Sequence, residues 1–228
     1  MKRKLLLSWS GGKDSALTLH ELKKLADVEV ASLLTTVTEG FERISMHGVR
    51  RELLLDQAEA LGLPIEEILI PQKCSNEIYE EQMRQALEKF RSKGISAAAF
   101  GDLFLQEIRS YREKRMAMIG MDAVFPLWGK NTSDLALEFI DLGFRAVLVC
   151  VDTEMLSGEF AGREYDLDFI RDLPAGVDPC GENGEFHTFV YDGPIFSKPV
   201  KVQKGEKLLR ENRFYYCDLL GLSAASLR

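Results

Sequence analysis

Apolar and polar positions along this chain follow two rhythms in turn. Short, nearly continuous apolar runs mark buried strands. Between them, apolar residues return at the i, i+3, i+4 spacing of amphipathic helices. Residues 4–9 read as a first strand and 14–25 as its helix. A second strand at 28–36 is followed by a helix at 49–61, where Val49, Leu53, Leu54, Ala58 and Leu61 share one face. A strand at 65–70 stops at Pro71, and 76–93 is a helix with Ile78, Met83, Ala86, Leu87 and Phe90 on one side. A short strand at 97–101, a helix at 106–119 and a strand at 123–126 complete the series.

Five such β-α units predict a doubly wound parallel α/β sheet, with ligands beyond the carboxyl ends of its strands near the point where strand order reverses. A helix at 133–142 and a strand at 146–151 continue the alternation. The texture then changes: 152–184 is rich in Gly, Pro, Asp and Glu, and β-like runs follow at 186–191, 200–204 and 213–217. The division expected is a main domain over 1–128 and a smaller C-terminal α+β domain over 129–228 that closes the site.

Composition narrows the function classes. The chain has 228 residues, 46% of them apolar and 29% charged, enough for a real core and too apolar for wholesale disorder. A net charge of −7 argues against a generally basic nucleic-acid-binding surface, although Arg109, Arg112, Lys114 and Arg115 cluster locally. Cys74, Cys150, Cys180 and Cys217 show no C-x-x-C spacing and read as reduced thiols. The basic start at 1–4 leads into too few apolar residues for a signal peptide, and no segment reaches membrane-span length. The expected location is the cytoplasm, with no membrane partner. The apolar face around Met83 and Phe90 fits either core or the surface of a homodimer.

The chemistry concentrates first in Ser10-Gly11-Gly12-Lys13-Asp14-Ser15, between the first strand and its helix. Two glycines let the backbone approach an anion, and the helix N-terminus presents N–H groups and the positive end of its dipole. Lys13 adds a cation, and Asp14 a carboxylate suited to phosphate-bound magnesium. An ordinary glycine turn, with Ser10 capping the helix, is the plainer alternative. The six residues lack the spacing of G-x-x-x-x-G-K-[ST]. They resemble instead the PP-loop, S-G-G-x-D-S, of the ATP pyrophosphatases, which cleave ATP to AMP and pyrophosphate. Asp102, after the fourth strand, is either a helix cap or a site residue.

A second cluster runs from Cys180 to Phe189, with Glu182, Glu185, His187 and Thr188 around Asn183-Gly184. Asn-Gly before alternating residues is by itself a hairpin signal. Together with the PP-loop, however, this stretch resembles the diphthine–ammonia ligase family, whose G-E-G-G-E-F-E-T aligns with Gly181 to Thr188 and whose V-x-D-x-P-x-F aligns with Val190 to Phe196. Ser110 to Arg115, Leu127-Trp128-Gly129 and Gly162-Arg163-Glu164 are similar to further family landmarks. Asn183 and His187 depart from the pattern as in its bacterial-type branch, and residues 43–50 are also similar to that branch.

The resemblance implies a fold like that of the adenine nucleotide alpha hydrolases. It also implies an ATP- and Mg²⁺-dependent ligase that adenylates an acceptor carboxylate, on a protein or small molecule, and amidates it with ammonia. Ser10, Gly11, Gly12, Lys13, Asp14 and Ser15 are then the ATP site, with Asp14 toward the metal and Lys13, Asp14, Glu182 and Glu185 catalytic. Arg115, Glu182, Glu185, Thr188 and His187 are the candidates for the acceptor and amine, and His47 and Arg50 for a loop over the nucleotide. Two alternatives stand beside this: another acceptor, such as tRNA or a small acid, and a non-catalytic ATP sensor.

Overall fold

The computed structural model describes residues 2–40, 43–44, 48–72 and 74–222. His47 lies outside them. The elements run β1 (Arg3–Ser8), α1 (Lys13–Lys24), β2 (Val28–Thr38), β3 (Arg43–Ile44), α2 (Arg51–Leu61), β4 (Ile65–Ile70), α3 (Asn76–Arg91), β5 (Ala97–Ala99), α4 (Gln106–Met118) and β6 (Asp122–Val124). Then come α5 (Thr132–Asp141), β7 (Arg145–Asp152), α6 (Leu167–Asp172), β8 (Phe186–Asp192), β9 (Val202–Arg210) and β10 (Phe214–Gly221).

The parallel strands lie in the order β4-β2-β1-β5-β6, with β3 antiparallel at the far end of β2. This is the doubly wound α/β sheet, and its order reverses between β1 and β5. β1 shows why its three leucines, Leu5 to Leu7, follow one another without a polar residue between them. Leu5, Leu7 and Trp9 pack on one face with α1 and α2, while Leu6 packs on the other with Leu87, Phe90 and Met116 of α3 and α4. A strand buried on both faces cannot alternate. Phe90 and Met83 therefore belong to the inner face of α3.

The strand expected at 146–151 does not extend the first sheet. It is β7, an inner strand of a second, antiparallel sheet ordered β8-β7-β10-β9. Its run from Ala146 to Val151 is fully buried, which hides the change of sheet from a reading of hydrophobicity alone. The second sheet shares one apolar cluster with the first: Val147, Val149, Phe186, Phe189 and Val190 are continuous with Leu5, Leu7, Leu17 and Leu53. Asn183-Gly184 forms no hairpin. The Gly184 N–H donates to Gly181 O at 3.1 Å, and β8 pairs with β7 across the long intervening loop.

Candidate active site

The six-residue loop leaves β1 at the sheet's reversal and turns into α1 at Lys13. Gly11 has φ +79°, in the left-handed region that disfavours a side chain. A Cβ on Gly12 would lie 3.0 Å from the Thr188 carbonyl oxygen, so β8 presses directly on the loop. Ser10 is not the helix cap. Gly12 holds that position, and Ser10 Oγ accepts the Gly12 N–H at 3.3 Å, facing Ser15 Oγ at 3.4 Å. The first helical N–H, that of Lys13, donates to Thr188 Oγ1 at 3.1 Å. A threonine 175 residues away thus does the work of an N-cap, and this amide turns to the second sheet instead of to an anion.

Lys13 is 3% exposed, and its Nζ donates to both carboxylate oxygens of Asp14 at 2.7 and 2.8 Å. Burial works against its ammonium, but Asp14, by charge and hydrogen bond and with help from Glu182, outweighs burial and holds its pKa above the ordinary value. Burial raises the pKa of Asp14 against the pull of Lys13. The backbone and Cβ of Asp14 would lie 3.1 Å from a Cβ on Gly101, so the chain after β5 abuts the loop. Asp102 follows it and pairs with Arg112 of α4 at 2.7 Å. Since α4 is preceded by Leu105 at its cap position, Asp102 is no helix cap.

Glu182 reaches this point from the second cluster. Its Oε1 accepts the Leu103 N–H at 2.9 Å, and burial, helped by the charge of Asp14, pushes its pKa up to about 7 against that hydrogen bond. Glu185 does different work. It is 1% exposed, and its carboxylate accepts the N–H groups of Asp178 and Asn183 and the Asn183 side-chain amide at 2.9, 3.0 and 3.0 Å. Asp178 in turn accepts the Cys180 and Glu182 N–H groups at 2.8 and 3.3 Å. This bracing sets the loop that carries Glu182. Burial drives the Cys180 thiol up to about 12, so it stays protonated, with Sγ donating to Thr132 O at 3.3 Å.

His187 points elsewhere. It lines a cleft of about 470 Å³ with Thr38 and Ile70 from the first sheet and Cys150, Phe214 and Tyr216 from the second. Burial, then Lys13, lowers its pKa to about 4, so it is neutral near pH 7. Arg115 is also not gathered with the loop. It bonds to Glu80 of α3 and lies over the Tyr111 ring, at the mouth of a cavity of about 280 Å³ between α3 and α4. Arg50 and Arg43 both pair with Asp218 of β10, at 2.7 and 2.9 Å, bracing the chain after β2 against the second sheet.

One residue absent from the sequence reading stands at the centre. Gln57 of α2 is fully buried, accepts the Trp9 indole N–H at 2.9 Å and donates to Gly11 O and Val190 O at 3.0 and 2.6 Å. The signal was present: Gln57 lies four residues after Leu53, on the apolar stripe of its helix, and a polar residue on that face needs buried partners.

Two family models match almost the whole chain: diphthamide synthase N-terminal domain over residues 1–123 and diphthamide synthase C-terminal domain over 131–219. The diphthine–ammonia ligases of Bos taurus and Homo sapiens are each 25% identical to it, over 222 and 225 residues, covering 86% and 88% of this chain and 82% and 83% of their own. The crystal structure of a predicted subunit of tRNA methyltransferase from Methanocaldococcus jannaschii aligns with 68% of this chain and 80% of its own, at a TM-score of 0.39 and 19% identity.

Proposed function

Because this chain belongs to the diphthamide synthase family, we propose that it is an ATP-dependent amide-forming ligase. The acceptor carboxylate attacks the α-phosphorus of ATP, pyrophosphate departs, and ammonia then displaces AMP from the acyl-adenylate. The curated relatives name diphthine as acceptor, and a diphthine-like carboxylate is the substrate class proposed for this chain. The observation that carries the reading is the Ser10–Ser15 loop at the sheet's reversal, with a buried Lys13 and with Glu182 delivered beside it by the second sheet.

The residues divide the work as follows. A carboxylate does not react with ammonia directly, because oxide is a poor leaving group, and adenylation supplies a good one. The amide of Gly12 and the hydroxyls of Ser10 and Ser15 cradle the departing pyrophosphate, and Lys13 offsets its growing charge. To reach the phosphates, Lys13 Nζ exchanges one oxygen of Asp14 for one of the ligand. Ionised Glu182 holds the ammonium ion and takes one proton from it, a task suited to a group that titrates near 7. The ammonia so freed attacks the acyl carbonyl, and the adduct's surplus proton passes to the departing AMP or to water. Glu185 and Thr188 act through position, the first bracing the Glu182 loop and the second holding α1. The nucleoside half extends past the ends of β2 and β4 toward the cleft lined by Thr38 and His187.

Magnesium fits this site only in company with the nucleotide. Among the described residues, no three His, Cys, Asp or Glu side chains gather into a metal cage, and Asp14 is the loop's carboxylate. One carboxylate plus substrate phosphates is an ordinary magnesium environment, and the ion would offset charge on the leaving pyrophosphate.

The test is product analysis. The purified protein with ATP, magnesium, ammonium and cell extract is expected to form AMP and pyrophosphate only with extract, and an acid in the extract should lose about one mass unit as OH becomes NH₂. Lys13→Ala should cut turnover at least ~100-fold with the protein still folded. Formation of ADP, or near-normal turnover in Lys13→Ala, would overturn the assignment.

A further inference from the structure

The Gln57 carboxamide has only one orientation that satisfies its surroundings. The Trp9 indole can only donate, and the Gly11 and Val190 carbonyls can only accept, so the oxygen faces Trp9 and the nitrogen faces both carbonyls. Gly11 O receives a second hydrogen bond, from the Val190 N–H at 2.9 Å. Two donors, one from α2 and one from β8, therefore fix the direction of a single peptide carbonyl.

A trans peptide is planar, so the N–H of Gly12 points opposite to the Gly11 carbonyl. Pinning that carbonyl inward turns the Gly12 N–H outward, to the side of the Ser10 and Ser15 hydroxyls. The lone long bond to Ser10 Oγ, at 3.3 Å, leaves the amide ready for a stronger acceptor. The fit is close: a Cβ on Gly11 would lie 2.8 Å from Gln57 Oε1. Glycine at 11 is thus required by the glutamine as well as by its positive φ.

We propose that Gln57 is the positioning residue of the anion site, holding the Gly11–Gly12 peptide with its N–H toward the phosphates and tying that orientation to the docking of β8. An anion on the Gly12 N–H then completes a chain of hydrogen bonds through the peptide, through the Gln57 carboxamide and on to the Trp9 indole. Each link polarises the next. The proposal rests on the reading of the loop as a phosphate site.

The experiment uses inorganic pyrophosphate as the probe. In wild-type protein with labelled tryptophan, pyrophosphate is expected to shift the Trp9 indole resonance along its binding isotherm. Gln57→Met, which keeps the volume and removes both donors, should weaken pyrophosphate about 10–100-fold. In Gln57→Glu, affinity should fall more steeply with rising pH than in wild type, because the carboxylate ionises against two carbonyls in addition to the titration of Glu182 and of pyrophosphate that both proteins share. A role in stability alone would lower the melting temperature without that pH dependence. An unmoved indole resonance at saturation, or wild-type affinity in folded Gln57→Met, overturns the role of Gln57 alone. No pyrophosphate or ATP binding by wild type overturns the phosphate-site reading as well.

Discussion

Lys13, Glu182 and Glu185 show how far a residue's chemistry is set by its neighbours. Two glutamates three positions apart look equivalent in the sequence, yet one is saturated by backbone N–H groups and the other retains a proton near neutrality. With Glu182 as the proton acceptor, turnover should rise with pH through about 7. A Glu182→Gln enzyme should lack that rising limb and be slowed ~100-fold or more, measured as the pH profile of AMP release. The same shift affects stability. A carboxyl whose pKa is raised from 4.5 to about 7 binds more proton when folded, so its contribution falls as pH rises through that window. Glu182→Gln should therefore gain stability relative to wild type between those pH values, read by urea unfolding.

At the scale of elements, α1 and β8 are joined where neither is complete alone. The helix begins at a glycine with no side chain to cap it, and Thr188 of β8 supplies the acceptor. Thr188→Val keeps the shape and removes the oxygen. It should cost about 1 kcal/mol, within a range of ~0.5–2 kcal/mol, while Thr188→Ser should restore most of the loss in the same denaturant titration. The Gly181 to Phe189 stretch was legible as a dense cluster of polar side chains, but its Asn-Gly pair was misleading. Local turn preference says nothing about which strand lies opposite, and here β7 does, far back in the chain.

Across the whole molecule, one apolar cluster joins the two sheets. Phe139 is fully buried within it, stacked on Phe144 at 4.9 Å and edge-on to Tyr165 at 5.3 Å. Phe139→Ala should cost roughly 3–5 kcal/mol. Because the core is shared, circular dichroism and the fluorescence of Trp9 and Trp128 should report one coincident unfolding transition, and two separated transitions would contradict a common core. Among the described residues, no helix is long and apolar enough to cross a membrane.

The parallel sheet, the loop after its first strand and the residue types of both clusters can be read from the chain alone, because they depend on periodicity and local spacing. The Leu5–Leu7 run of β1 and the Ser10–Ser15 motif needed no tertiary partner to be read. Which face β8 presents to the loop, the place of β7 in a second sheet, the turn of Arg115 to Glu80 and the hydrogen bond of Gln57 to the Gly11 carbonyl emerge in three dimensions. These are contacts between residues far apart in the chain. Their geometry comes from the packing of whole elements, and one-dimensional patterns of hydrophobicity carry no record of it.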